Sequence, residues 1–434
     1  MSNREYDIIL FGSTSFVGKI VANYLVNEHV EANLNWAMAA RSMEKLSALK
    51  ASFGEKGQNV PLIEADSSDE ESLKSMCGRA GVIISTVGPY ALYGELLIKQ
   101  CALSGTDYVD LTGEPQWIKR MIAGYENDAK ASGARIIHSC GFDSIPSDLG
   151  VMFLQGHALA SFGSACNQVK MRVKAMQGGA SGGTIASGVN LYKEAAADPA
   201  LRKEMRDFYS LCPTDHQFTE RQANISVEYD EDFKAWVGPF IMASMNTRIV
   251  LRSNALRDGF YTDNFRYDEG MLMGNGPKGK SRAKRLAFGS KFGGLVMSIS
   301  LFRWFVNKFF LPKPGEGPSP EKQLRGFYDL RFLGRTDKGD EIRVKVTGDR
   351  DPGYGSTAKM LAQAAISLRR DVDKNLVAGG FWTPATAFNH KLIERLQDYA
   401  GMSFEVESDV PPAILEVEES EIDSSTIVGI NSFS

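Results

Sequence analysis

Cysteine and histidine are scarce in this chain, five of each in 434 residues. Cys77, Cys101, Cys140, Cys166 and Cys212 are odd in number and widely spaced, so no disulfide framework is implied. No CxxC, HExxH or paired Cys/His cluster offers ligands at metal spacing, and no metal site is expected. Charge of one sign is also lacking: the formal net charge is −4, which gives no reason to expect nucleic acid as a partner. The polar start Ser2-Asn3-Arg4-Glu5 leads straight into an apolar run without the apolar core of a signal peptide, so a reducing cytoplasmic setting is expected. The hydrophobic share of 43% and charged share of 24% are those of an ordinary globular protein, and the length favours two domains.

What is present begins at once. Tyr6 to Phe11 is a short apolar run ending in Gly12-Ser13-Thr14-Ser15-Phe16-Val17-Gly18; a helical pattern and a second apolar run, 34–40, follow. Strand, glycine turn, helix and strand open a dinucleotide-binding fold, in which turn amides and a helix N-terminus meet a pyrophosphate. Ser15 stands where a glycine normally allows close approach to the phosphates; its hydroxyl is a potential phosphate donor, but a serine at positive φ carries strain. A phosphate-loop NTPase competes poorly, because one residue too many separates Gly12 from Gly18-Lys19 and Ile20 replaces the required Ser or Thr.

Arg41 lies a little over twenty residues beyond Gly18, near the position of the ribose-reading acid. A guanidinium there pairs with a 2′-phosphate, and Ser42 adds a hydroxyl, so NADP is favoured over NAD. Asp66 closes the third strand and either bonds the adenine amino group or caps the next helix. Thr86-Val87-Gly88-Pro89 closes the fourth strand, where its turn is expected to run beneath the diphosphate and the nicotinamide ribose.

Strands are predicted at 6–11, 34–40, 60–65, 81–86, 107–111 and 134–138, with helices at 16–28, 43–53, 69–77, 92–104 and 115–132 between them. This alternation predicts an α/β fold with a Rossmann doubly wound parallel sheet. After about residue 150, Val169, Met171 and Val173 alternate with Lys170, Arg172 and Lys174, and Ile342, Val344 and Val346 with Arg343 and Lys345. Such patterns predict half-buried strands of a mixed α+β domain with a basic outer face, either solvated or a surface for an acidic lipid, an acidic carrier or a second subunit. Helices are expected at 184–197, 354–372 and 384–399.

Candidates for proton transfer are Tyr90 and Asp143, with Asp110, Glu114 and Tyr93 nearby. Asp143 serves equally well as a cap for a helix starting at Ile145. His138 reads as structural. Over 286–312, Leu295, Ile299, Phe302, Val306 and Phe309 share one helix face below the basic run Lys278, Lys280, Arg282, Lys284 and Arg285. Arg303 and Lys308 leave too short an uncharged stretch for a spanning helix; the alternatives are a helix at a membrane interface and one buried in the second domain or a homodimer contact.

Read together, Gly12–Gly18, Ala40-Arg41-Ser42, Thr86–Tyr90, Tyr108–Glu114, Cys140–Asp148, Ser181–Thr184, Gly315–Ser319 and Gly379–Ala385 resemble the saccharopine-dehydrogenase-like NADP-binding oxidoreductases, and within them the trans-acting enoyl reductase branch. The resemblance implies an NADP-binding Rossmann domain (1–145), a substrate or dimerisation domain (146–375) and a C-terminal segment (376–434) that returns to the first. It implies reduction of a C=C bond in a lipid or enoyl substrate, with a saccharopine-type C=N reductase and a non-catalytic NADP-binding module at a membrane as alternatives. Ser15 is the departure from the family pattern.

Overall fold

The computed structural model describes residues 4–28, 33–178, 182–298 and 317–407. Six short strands alternate with helices at the start of the chain: β1 (Tyr6–Phe11), β2 (Trp36–Ala40), β3 (Leu62–Glu64), β4 (Ala80–Ser85), β5 (Asp107–Asp110) and β6 (Arg135–Ile137). They pair in parallel in the order β6-β5-β4-β1-β2-β3, and a strand from near the C-terminus, Gly380–Trp382, adds beyond β6. Strand order reverses between β1 and β4, which opens a crevice at their carboxyl ends.

Both faces of this sheet are buried, as parallel strands require. Ile9, Phe11, Ile83, Tyr108 and Ile136 pack against the helices Glu70–Arg79, Glu95–Ser104 and Pro115–Ser132. On the other face Ile8, Leu10, Val82, Ile84 and Val109 meet the helix Phe16–Asn23 and the almost wholly buried helix Thr357–Arg370.

The second sheet is mixed, as the alternating segments predict. Its strands are β7 (Gln168–Gln177), β8 (Glu228–Asp230), β9 (Ala235–Pro239), β10 (Arg266–Gly274), β11 (Phe327–Arg335), β12 (Glu341–Gly348) and, after β13 (Gly380–Trp382) in the first sheet, β14 (Met402–Glu407). The order is β14-β12-β11-β7-β10-β9-β8, with only β7 and β10 parallel. The segment after residue 376 thus serves both sheets. One face lies on the helix Ile145–Phe162, where Gly150 lets the Phe332 ring approach: a Cβ there would stand 2.5 Å from it.

The bases on the opposite face are matched by acids from neighbouring strands and loops. Lys170 pairs with Asp232 (2.6 Å), Lys345 with Glu405 (2.6 Å), and the wholly buried Arg172 with Asp230 (2.8 Å) and Asp268 (2.5 Å). This face is therefore a cross-strand ion-pair network, not an open basic surface.

Helices Gly182–Ala197, Thr357–Arg370 and Pro384–Tyr399 stand where the periodicity places them. A helix Gly276–Ser298 covers the basic run and the start of the apolar segment; Ile299, Phe302, Val306 and Phe309 lie outside the described residues. No helix among the described residues is long and apolar enough to cross a membrane.

Candidate active site

The site is built at the carboxyl edge of the parallel sheet. After β1 the chain turns at Gly12, whose φ of +85° belongs to glycine, and a Cβ there would stand 2.7 Å from both Thr86 Oγ1 and Val87 Cγ2. Gly18 is required for a different reason: its Cβ would lie 2.1 Å from Gly12 O, so only a bare Cα lets the helix start this close to the turn.

Ser15 departs from the expectation. It adopts φ −67° and ψ 167°, an ordinary extended conformation without strain, because it is the N-cap of Phe16–Asn23. Its Oγ accepts from the Gly18 N–H (2.9 Å) and shares a hydrogen bond with Thr86 Oγ1 (3.0 Å). The hydroxyl is thus tied to the protein rather than offered to a phosphate. Ser13 is likewise turned inward, its Oγ donating to Leu10 O (2.6 Å) and accepting from Ala39 N–H (3.2 Å).

The backbone amides of Thr14, Phe16 and Val17 have no hydrogen-bond partner among the described residues. They lie at the positive end of the helix, where an anion is stabilised. Thr86 Oγ1 stands 2.9 Å from Gly12 O and braces the turn from the end of β4. The Gly88–Pro89 peptide is cis, and both residues border the crevice.

At the end of β2 the Arg41 side chain is exposed, and Ser42 caps the helix Met43–Ser52 by accepting from Lys45 N–H (3.3 Å). That role uses a lone pair of Ser42 and leaves its hydroxyl proton free. Asp66 does not cap a helix; Asp69 does. Asp66 Oδ1 accepts from the Ser68 N–H (2.9 Å) and Ser68 Oγ (2.8 Å), and these bonds, helped by the nearby Arg41 charge, hold its carboxyl below the usual range. A cradle that only glycine fits, free amides beside it, and an exposed guanidinium one strand away together fit a dinucleotide.

The proton-donor candidates occupy different surroundings. Tyr90 is buried against Trp117, with ring centroids 5.4 Å apart, and its phenol donates to Ser85 O (2.9 Å). Burial, reinforced by Asp110, pushes that phenol well above its usual pKa. Asp143, partly buried, sits between two glycines that make room for it. A Cβ on Gly113 would stand 3.2 Å from its Oδ1, and one on Gly141 would stand 3.5 Å from its Oδ2. It does not cap the helix from Ile145, whose N-cap is Ser144. Burial, with a smaller push from the Asp110 charge, raises the Asp143 carboxyl to about 7.

Asp110 itself is committed. It accepts from Tyr108 Oη (3.0 Å), Thr112 N–H (3.0 Å) and Ser139 N–H (2.9 Å), and lies 2.7 Å from His138 Nδ1. His138 is buried against Trp117 and Phe381. Tyr93 is half exposed on the surface.

The ties made by Glu114, and the part played by Asp351, Tyr354 and Thr357, escape a reading of the sequence. Glu114 is buried and accepts from the N–H groups of Tyr90 (2.9 Å) and Ala91 (3.0 Å) and from Ser187 Oγ (2.8 Å). It thereby joins the turn after β4 to the helix Gly182–Ala197, and burial raises its carboxyl despite those bonds. Asp351 accepts from Gly353 N–H (3.2 Å) and Gly355 N–H (2.8 Å) in the turn that starts the helix Thr357–Arg370. Thr357 Oγ1 accepts from Phe142 N–H (3.0 Å), fixing the loop that carries Asp143. Tyr354 packs edge-on against Phe16 (5.1 Å), and Gly317 faces the same ring, which a Cβ would approach to 2.3 Å. The only local signal was the glycine-rich run Asp351-Pro-Gly-Tyr-Gly-Ser-Thr357 before a helix.

No family model matches the chain. It is 38% identical over 417 residues to a Mycobacterium tuberculosis protein provisionally named a trans-acting enoyl reductase, covering 93% of this chain and 97% of that one. Trans-acting enoyl reductases of Mycobacterium bovis (36% over 420 residues) and Mycobacterium leprae (35% over 414 residues) each match 91% of this chain and 96% of their own length. Apo saccharopine dehydrogenase (L-Glu forming) from Saccharomyces cerevisiae shares the fold, with a TM-score of 0.51 and 13% identity across 92% of this chain and 99% of that one. The chain belongs to the trans-acting enoyl reductase family, oxidoreductases of saccharopine-dehydrogenase-like fold whose chemistry implies a nicotinamide cofactor.

Proposed function

We propose that the protein reduces a carbon–carbon double bond of an enoyl-type, lipid-related substrate with NADPH. The observation that carries this reading is Asp143, a carboxyl raised to about 7 at the crevice edge, held open by two glycines. A group poised there is protonated near neutrality and able to give its proton to a carbanion or enolate. The relatives' shared name supplies the reaction class.

When bound, the nicotinamide supplies a hydride to the electrophilic carbon. The chain's own residues do the rest. The Thr14, Phe16 and Val17 amides bind the pyrophosphate, and Arg41 with the Ser42 hydroxyl binds the 2′-phosphate that distinguishes NADPH. Asp66 accepts from the adenine amino group through the carboxylate oxygen that Ser68 leaves free. Thr86, Val87, Gly88 and Pro89 form the floor under the diphosphate, with Tyr90 and Glu114 anchoring that turn from below. Asp143 then delivers one proton from its carboxyl to the carbon next to the acyl group.

An amino-acid substrate would require arginines aimed at its carboxylates. What weighs against it is that the buried Arg248 and Arg252 spend their donors inside the protein: on Ser210 Oγ (3.1 Å) and Met205 O (2.7 Å), and on Leu211 O (2.5 Å) and Phe381 O (2.7 Å).

The deciding experiment follows NADPH and NADH consumption by the purified protein with a 2-enoyl thioester, and separately with a keto acid plus an amine. Consumption of NADPH, and much less of NADH, with the thioester is expected. Turnover only with the keto acid and amine would sink the reading.

A further inference from the structure

The helix Gly276–Ser298 is built the wrong way round for a helix that serves only its own domain. Apart from Leu286 its inward side is small: Gly279, Ala283 and Ala287 are buried, and it lies along β9, where a Cβ on Gly238 would stand 3.0 Å from Leu286 and 3.6 Å from the Ala283 Cα. Its outward side carries the large side chains. Phe288 is 70% exposed and Phe292 56% exposed, and their rings stack on each other 5.9 Å apart. A surface helix normally buries its aromatics and shows its alanines to water. Ile241, 88% exposed, lies in the turn two residues after β9, the strand along which the helix lies.

Charge on this helix is as one-sided as its apolarity. Lys278, Lys280, Arg282, Lys284 and Arg285 are all exposed, and none has an ion-pair partner among the described residues; Lys280 lies over the Trp236 ring at 4.7 Å. Between Glu269 and Glu316 the sequence holds nine lysines and arginines and no acid. The contrast with the second sheet, where bases meet acids across strands, is direct.

We propose that this helix docks the protein on an anionic lipid bilayer, with Phe288 and Phe292 entering the headgroup–acyl boundary and the five bases pairing with phosphate headgroups. Exposed aromatics beside an unpaired basic run are the two components interfacial binding requires, and each alone gives weak attachment. A bilayer suits the pattern better than an acidic protein, because a fluid surface takes up stacked rings and scattered cations without shape matching.

The test is co-sedimentation of the full chain with vesicles of phosphatidylcholine alone and of phosphatidylcholine with phosphatidylglycerol. Binding to the anionic vesicles only, weakened by salt, is expected. The double variant Phe288→Glu, Phe292→Glu should lower that binding by about tenfold or more, as should Lys284→Glu with Arg285→Glu. Both pairs lie on the exposed face, so NADPH affinity, read by cofactor fluorescence, should stay unchanged and report intact folding. No binding at low salt, equal binding to neutral vesicles, or binding untouched by either double variant would overturn the proposal. A concentration-dependent dimer that the Phe288→Glu, Phe292→Glu variant dissolves, without any vesicle binding, would replace the bilayer with a second copy of the chain.

Discussion

A carboxyl and a phenol drawn from the same sequence logic meet opposite fates, and the cause is one residue of backbone on either side. Tyr90 opens a short helix whose start is held by Glu114, so its ring turns into the core and its hydroxyl finds Ser85 O. Asp143 sits in a loop between glycines, so its carboxyl stays at the crevice edge, half out of water. Burial disfavours its charged form, and the nearby Asp110 charge adds to that. A general acid must hold its proton, so kcat/KM for enoyl reduction should be highest below about pH 7 and fall as pH rises through that value. Asp143→Asn should remove this limb of the pH profile and lower kcat by roughly a hundredfold to a thousandfold, as loss of a positioned acid does. NADPH affinity should be unaltered, because the amides and the guanidinium proposed to hold its phosphates follow β1 and β2, away from the loop that carries Asp143. A variant that keeps both the rate and the alkaline fall would remove Asp143 from the chemistry.

Helix packing at the glycine turn is set by atoms that are absent. Gly18→Ala puts a methyl 2.1 Å from Gly12 O, a backbone atom that cannot step aside without moving the turn. The helix Phe16–Asn23 must then back away, taking the Phe16 and Val17 amides with it. Overpacking of this kind costs about 1–3 kcal/mol of stability. The sharper expectation is a loss of NADPH binding larger than the shift in Tm accounts for, measured by cofactor titration beside thermal unfolding. At this scale the sequence was most readable. β1 to β6, as short apolar runs between helices of period 3.6, and the period-two alternation in β7 and β12 follow from patterns that local side chains alone determine. Ser15 departs from the strain its motif position suggests because such a position says which atom would be near a phosphate and not which φ the residue adopts; a helix N-cap meets the same spacing with a normal backbone. Glu114 is legible as a site residue from its place after the fifth strand, but its tie to Ser187 is not; Thr357 escapes for the same reason, because its partner Phe142 lies far along the chain, and Asp351 escapes because its bonds to Gly353 and Gly355 look like those of any turn. The helix Thr357–Arg370 was visible as a helix, but periodicity cannot tell that it covers β1 and β4 rather than the sheet it directly follows.

Across the whole molecule the two sheets share one apolar cluster, which runs from Ile8 and Leu10 through Leu149 and Met152 to Val344 and Phe404. Polar ties cross the same boundary. Asp148, fully buried on the helix Ile145–Phe162, accepts from Ser253 Oγ (2.6 Å) on the helix Ala243–Ala255 and from Ala385 N–H (2.8 Å) just after β13. One carboxylate therefore holds together three parts of the chain that are distant in sequence. Burial nevertheless pushes Asp148 up to about 7, with its hydrogen bonds opposing the rise only in part. A folded-state pKa above the unfolded value near 4 means that the native state binds more protons than the unfolded state between those two values. Its contribution to stability is then greatest at acid pH and declines as pH rises from about 4 to about 7. Asp148→Ala leaves a buried hydroxyl and a buried amide without their acceptor, which should cost roughly 2–4 kcal/mol at pH 5, where most of the carboxyl is still protonated. Because only the wild type carries the titrating group, its advantage over the variant should shrink between pH 5 and pH 8, read as the gap between their urea midpoints. A gap that widens with pH would mean that Asp148 is held as a charged carboxylate, and that the junction between the sheets rests on an ionic tie.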